Sequence, residues 1–176
     1  SSFKTVTQAI VYLNDAFRSP GPRTTPGLPV TYTFGSETRT VDYVVIHCAP
    51  GLYGPAFNPS RHAPSGLDFN GETFPIHVPE RVSIQGTSAL DTIFDPRGDF
   101  VNVFMFDKSE TQGDPDHYRY SFLDGVTIRG ARWDGSDPPT GGQPTRYPTG
   151  AGVLVTNKKV EGNWIAQKGP AVSNCI

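Results

Sequence analysis

The chain is 176 residues long, the size of one ordinary domain, with 15 Lys+Arg against 17 Asp+Glu and a formal net charge of −2. So even a balance, with no basic run or stripe, excludes the electrostatic footprint of a dedicated nucleic-acid binder. No apolar stretch nears the roughly 20 residues of a membrane-spanning helix, and 19 Gly plus 17 Pro fall short of low-complexity composition. Membrane insertion and a coiled coil are therefore not expected. The sequence opens on Ser1-Ser2 without a signal-type segment and stops at Asn174-Cys175-Ile176, straight after a strand-like run. A fragment of a longer chain is the expectation.

One segment has helical spacing. Within residues 3–18, Phe3, Val6, Ile10, Leu13 and Phe17 share a face; Ser2 or Thr5 suits its cap and Pro20-Gly21 its stop. Residues 19–40, rich in Pro, Gly and Thr, read as loop with one short strand at 31–34. Short runs rich in Val, Ile and Phe follow at 43–48, 74–86, 92–95, 101–107, 122–130, 152–156 and 171–176, bounded by Gly, Pro, Asn or Asp. Runs of this kind suit parallel strands covered on both faces. With no second helical pattern to cross between them, a doubly wound sheet is not expected.

The central apolar residues of the later runs are Ile84, Met105, Ile128, Val155 and Ile176. Their near-even recurrence is the signature of a solenoid, the widest gap holding the turn-rich insertion 131–150. An antiparallel sandwich with evenly spaced strands is the alternative. The scarcity of hairpin signals favours the solenoid, the pair Asn70-Gly71 being an exception inside a long loop.

Three stretches carry a resemblance: FKTVTQAI (3–10), VVIHCAPGLYG (44–54) and FPIHVPERVSIQGTSALDTIFD (74–95). They resemble the start of right-handed parallel β-helix proteins of the pectin-lyase-like family, DUF1565-type domains in particular. FLDGVTIRGA (122–131) is similar to a rung of the same fold. The resemblance implies an all-β, right-handed parallel β-helix, a solenoid of about five or six rungs with an N-terminal amphipathic capping helix. One domain would span 1–176, its cap helix in 1–20 and its rungs in 41–176, with loop inserts at 54–73, 107–119 and 131–150. It further implies an extracellular or cell-surface domain that binds or processes polysaccharide, and, for an enzyme, a polysaccharide lyase or glycoside hydrolase. Because this fold hosts many functions, a non-catalytic structural or assembly module, such as a surface-layer, filament or adhesin component, is the competing class.

Similar enzymes carry their sites on an outward face of the solenoid, with carboxylates as calcium ligands or as acid and base. If Ile84, Met105, Ile128, Val155 and Ile176 point inward, alternation sends Ser83, Phe104, Thr127, Leu154 and Cys175 outward, and likewise Gln85, Phe106, Arg129 and Thr156. Neither column holds a carboxylate. Arg129 alone has catalytic potential, against the plainer role of a solvated strand residue. Phe104, Phe106 and Leu154 would form an outer apolar face, covered by the insert 131–150 or by a partner chain, and with Ile176 they are the candidate interface.

Two polar loops, 107–119 and 131–137, supply the other candidates. Asp116, His117, Arg129, Arg132 and Asp134 are the catalytic candidates, Trp133 and Tyr147 the sugar-stacking ones, and Asp107, Asp114 and Asp116 the calcium ones. A solvated acidic loop is the plain alternative. No cofactor is required; calcium is the ion such oxygens suit. The expected partners are polysaccharide or neighbouring subunits. The four histidines lack zinc-type spacing. Cys48 has no identifiable Asn or Asp partner for a thiol nucleophile and reads as an inert core residue. On a β-helix it lies beyond disulfide reach of Cys175. Arg97-Gly98-Asp99 is an adhesion tripeptide and equally ordinary turn chemistry.

Overall fold

The computed structural model describes residues 2–16, 30–62, 64–79, 81–99, 101–106, 121–132, 152–155, 159–160, 163–164 and 170–176. Its one described helix, α1 (Val6–Ala16), buries Val6, Ala9, Ile10 and Leu13, the face the spacing predicts. Phe3 stays 40% exposed, and Phe17 and Pro20-Gly21 lie outside the described residues. Thr5 is the cap: its Oγ1 accepts the Gln8 N–H at 3.1 Å, while Gln8 Oε1 reaches back to the Lys4 N–H at 3.2 Å. This is the reciprocal logic of a capping box, moved one residue outward.

The two leading N–H groups of α1, from Val6 and Thr7, donate to the carboxylate of Glu72 at 2.7 and 3.2 Å, and the N–H of Thr73 joins them at 3.0 Å. Glu72 is only 2% exposed. A buried carboxylate is tolerated there because three donors and the positive end of the helix meet it.

Chain order then gives β1 (Val30–Phe34), β2 (Glu37–Val41), β3 (Val44–Cys48), β4 (Gly51–Tyr53), β5 (Ile76–Val78), β6 (Val82–Gly86) and β7 (Thr92–Phe94). Next come β8 (Phe104–Phe106), β9 (Phe122–Asp124), β10 (Thr127–Ile128), β11 (Val153–Val155), β12 (Lys159–Val160), β13 (Asn163–Trp164) and β14 (Ala171–Ser173). Two pairs are antiparallel hairpins, β1–β2 and β12–β13. The rest form three parallel sheets, ordered β14-β9-β6-β3, β10-β7-β4 and β11-β8-β5. In sequence the strands β3 to β11 visit the three sheets in strict rotation, so each strand from β3 to β8 pairs with the one three elements later, and β9 pairs onward with β14.

The interior lies where the three sheets face one another. In the first sheet Ile46, Ile84 and Leu123 stand in register, followed by the Leu123–Val172 pair. Ile84 and Leu123 are fully buried. Across the core, the Phe94 ring stacks on Tyr53 at 4.6 Å and meets Phe104 edge-on at 4.8 Å. Each such buried aromatic adds roughly 2–3 kcal/mol of transfer free energy. Glycine is required at two close approaches: at Gly86 a Cβ would collide with the Gly125 carbonyl and the Val126 side chain, and at Gly54 with the Asp95 carbonyl and the Phe69 ring.

Three expectations are corrected. The near-even interval between the aligned apolar residues is not the stacking period: Ile84 pairs with Ile46 and Leu123, and Met105 with His77 and Leu154. The aligned residues are scattered over the sheets, Ile84 in the first, Ile128 in the second and Met105 and Val155 in the third, with Ile176 beyond β14, because each round of the rotation contributes three short strands rather than one. The outward orientation of Phe104 and Phe106 is also reversed. Both are fully buried in the core beside Ile76, Val78 and Val153, and Met105, Leu154 and His77 take the other face. A strand reading VNVFMF is apolar at nearly every position, so alternation cannot fix its parity, and a slip of one residue swaps the faces. Finally, residues 19–40 hold more than one short strand: Gly35, at φ 64°, and Ser36 turn β1 back onto β2.

Candidate functional site

Strands in register release their following turns at one edge. In the second sheet β4, β7 and β10 lead into residues 54–70, 95–99 and 129–132, and these turns meet. Gly98 N–H donates to the Gly130 carbonyl at 2.9 Å and Arg132 N–H to the Asp99 carbonyl at 3.3 Å. Arg61, Arg97, Arg129 and Arg132 are thereby carried to one edge, where the same turns also bring Asp68, Asp95 and Asp99.

Asp95 is the hub of the inner half. Its Oδ1 accepts the Arg97 N–H at 2.7 Å and its Oδ2 the Arg129 Nε–H at 2.9 Å. That turn holds Arg97 at φ 60°, a left-handed conformation that costs a non-glycine residue roughly 1 kcal/mol. The guanidinium of Arg97 then lies 4.6 Å from the ring centroid of Phe69 and 5.3 Å from that of Phe57, cation–π contacts that help offset the strain. Phe57 is 52% exposed. Beside it a pocket of about 240 Å³ is lined by Phe57, Pro64, Ser65, Gly66, Leu67 and Arg97.

Asp99 ties the outer half. Arg61 approaches its Oδ1 at 3.0 Å, and His62 Nε2 lies 3.6 Å from Oδ2. His62 is buried; its Nδ1 accepts the Asn58 N–H at 3.2 Å, which places the ring proton on Nε2, where no hydrogen bond meets it. The Arg61–Asp99 pair, exposed on its arginine side, is of a kind worth about 0–1 kcal/mol, so it positions the loop more than it stabilises the fold. Both carboxylates face guanidinium groups and hold turns. The side chains of the Arg97-Gly98-Asp99 tripeptide are engaged in the same way, Arg97 on two rings and Asp99 with Arg61, which favours turn chemistry over display of an adhesion signal.

A larger hollow, about 480 Å³, lies between α1 and β3 and is walled by Phe3, Val6, Tyr12, Leu13, Ile46 and Tyr53. Cys48 and Tyr53 both line it. Burial pushes the Cys48 thiol up to about 12, with the Glu72 carboxylate adding to it. Burial, then Cys48 and Glu72, likewise push the Tyr53 phenol up to about 12. Both groups keep their protons at neutral pH, as an inert core cysteine should. Cys48 and Cys175 are free thiols, outside any disulfide.

Of the residues singled out in the sequence, Arg129 and Arg132 sit on the arginine-rich edge, Leu154 is half-buried and Ile176 is 70% exposed. Asp107, Asp114, Asp116, His117, Trp133, Asp134 and Tyr147 lie outside the described residues. Among the described residues no group of three His, Cys, Asp or Glu side chains is arranged to hold a metal ion, and no helix is long and apolar enough to cross a membrane. Asp95, Arg61, Phe57 and Phe69 escaped sequence reasoning, which met Asp99 only within the Arg97-Gly98-Asp99 tripeptide and His62 only as a histidine without zinc-type spacing. Their signal was positional, since all follow strands of one sheet, and it becomes visible only once the pairing is known. Comparison with protein-family models, curated proteins and solved structures finds no match.

Proposed function

We propose that the three sheets are the faces of a right-handed parallel β-helix, and that this is an extracellular or cell-surface domain which binds polysaccharide at the edge where the turns after the second sheet converge. The rotation of strands through three parallel sheets supports the architecture, and the likeness of residues 3–10 and 44–95 to pectin-lyase-like proteins supports the ligand class. The observation that carries the reading is local: a half-exposed Phe57 ring beside Arg97, over a pocket of about 240 Å³, with Arg61 and Arg129 held by Asp99 and Asp95 on the same set of turns. An exposed ring offers a platform for the apolar face of a sugar, and guanidinium groups donate in pairs to ring hydroxyls or carboxylates. Affinity electrophoresis in gels containing neutral or uronate-rich polysaccharides tests it. Retardation should appear with at least one class, and the Phe57→Ala, Arg129→Ala double variant should lose most of it. Unretarded migration in every gel overturns the proposal.

A second reading, the structural or assembly module, draws on the other end of the molecule. Val172 and Ile176 are 51% and 70% exposed, and β14 pairs on one side only among the described residues. Open strand edges recruit other chains. Light scattering across a concentration series separates the readings, because growth in mass that Val172→Lys abolishes supports assembly.

A further inference from the structure

The only Asn-Gly pair of the sequence, Asn70-Gly71, sits at the junction that fastens the N-terminal helix. Asn70 Oδ1 accepts the N–H groups of Gly54 and Glu72, each at 3.1 Å, and its Nδ2 donates to the Lys4 carbonyl at 2.9 Å. The Gly71 N–H donates to the Gly54 carbonyl at 3.0 Å. One side chain thus joins the 54–70 loop, the residue before the cap of α1, and the backbone of Glu72 that receives the helix.

We propose that Asn70-Gly71 is a conformation-gated deamidation site whose reaction unpins α1. In the reaction the Gly71 amide nitrogen, having lost its proton, attacks Asn70 Cγ. The N–Cγ bond forms, the Cγ–Nδ2 bond breaks, and ammonia leaves. Water then opens the succinimide at either carbonyl, giving aspartate or isoaspartate at position 70. Glycine leaves the attacking nitrogen unhindered, and Gly71, at φ 82°, has no atom within 4 Å of where a Cβ would stand. The folded chain withholds both reactants. Gly71 N–H is bound to Gly54, and two donors fix Oδ1 in an orientation that must be abandoned before Cγ can turn to the nitrogen. Local opening at this junction is therefore required first.

The product does not refasten. A carboxylate has no donor for the Lys4 carbonyl and adds a negative charge two residues from buried Glu72. Isoaspartate in addition inserts a methylene into the backbone, displacing Gly71 and Glu72 from Gly54. The Lys4 carbonyl held by Asn70 is also the carbonyl of the Lys4–Thr5 bond, so the same pin shields the bond that trypsin would cleave.

The full chain is incubated in mildly alkaline buffer, folded and in concentrated urea, with peptide mapping of residue 70 and isoaspartate methylation as readouts. Conversion should be at least about tenfold slower in the folded protein, and Glu72→Gln, which loosens the helix start, should narrow that gap. Aged protein should release its first four residues to trypsin faster than fresh protein, and Asn70→Asp, which loses the Lys4 contact without lengthening the backbone, should fall between the two. Equal rates folded and unfolded, or unchanged Lys4 cleavage after conversion, overturn the proposal. Should Asn70→Asp fail to fold, the aged wild-type chain carries the test.

Discussion

The two ends of the first sheet present the same chemistry to opposite surroundings. Ile46, Ile84, Leu123 and Val172 are successive members of one inward row. At the β3 end the row is covered by α1, whose Val6, Ile10 and Leu13 join the core cluster. At the β14 end Val172 remains 51% exposed and all three strand residues are open. Residue type is nearly constant along the row, yet Ile84 and Leu123 in its middle are fully buried, Ile46 beneath α1 is partly buried and Val172 is half-exposed. In a stacked sheet, then, what an apolar residue contributes is set by whether it has neighbours on both sides, more than by its own side chain.

The contrast can be broken by substitutions at its two ends. Leu123→Ala, between two neighbours, should cost about 3 kcal/mol in urea denaturation, and Val172→Ala under about 1 kcal/mol; equal losses would mean that the row is not graded. Glu72→Gln tests the closed end, because it takes charge from an acceptor serving Val6, Thr7 and Thr73. About 2 kcal/mol should be lost, with reduced helical circular dichroism. The cysteines report the same difference chemically. A thiol reagent at mildly alkaline pH should label half-exposed Cys175 and leave Cys48, whose thiol is raised to about 12, until the protein unfolds.

The smallest effect is expected at the open end. Hydrogen bonds from Ser173 Oγ and Asn174 Nδ2 hold the Asp124 carboxyl below its ordinary value, a slight burial works the other way, and Gln85 adds a further lowering contact. A carboxylate depressed in the folded state stabilises above its unfolded value and loses that contribution as the pH falls through the folded one. The window thus lies below the ordinary value of 3.8. Exposure keeps the effect small. Asp124→Asn should remove a slight acid-side fall in melting temperature and leave neutral stability nearly unchanged.

How much of this was legible varies with the physics. The helix was, since Val6, Ile10 and Leu13 follow its period and Thr5 can cap it. Parallel pairing was too, since Val- and Ile-rich runs lacked turns tight enough for hairpins. The stacking period was not legible, because three strands of similar composition alternate and spacing cannot say which of them are neighbours. Nor was the parity of Phe104, Met105 and Phe106, all apolar. The arginine-rich edge was hidden for a related reason: Arg61, Arg97 and Arg129 are distant in sequence and are gathered only by registration of β4, β7 and β10. Glu72 looked like a loop residue, as nothing local announces a carboxylate that serves a helix 66 residues earlier. The Gly35-Ser36 hairpin, by contrast, was written in ordinary turn residues and was overlooked.

The spacing within the third sheet has a wider bearing. Far more chain separates Phe104 from its partner Val153 than from its partner Ile76, yet the three strands keep a common register. Closing the longer connection costs only about half a kcal/mol more. Strand position and connection length are thus nearly independent variables, so segments can be lengthened, exchanged or grafted at the turns without disturbing the stack. A scaffold of this kind can change the surface that one connection presents while the strands beneath it keep their register.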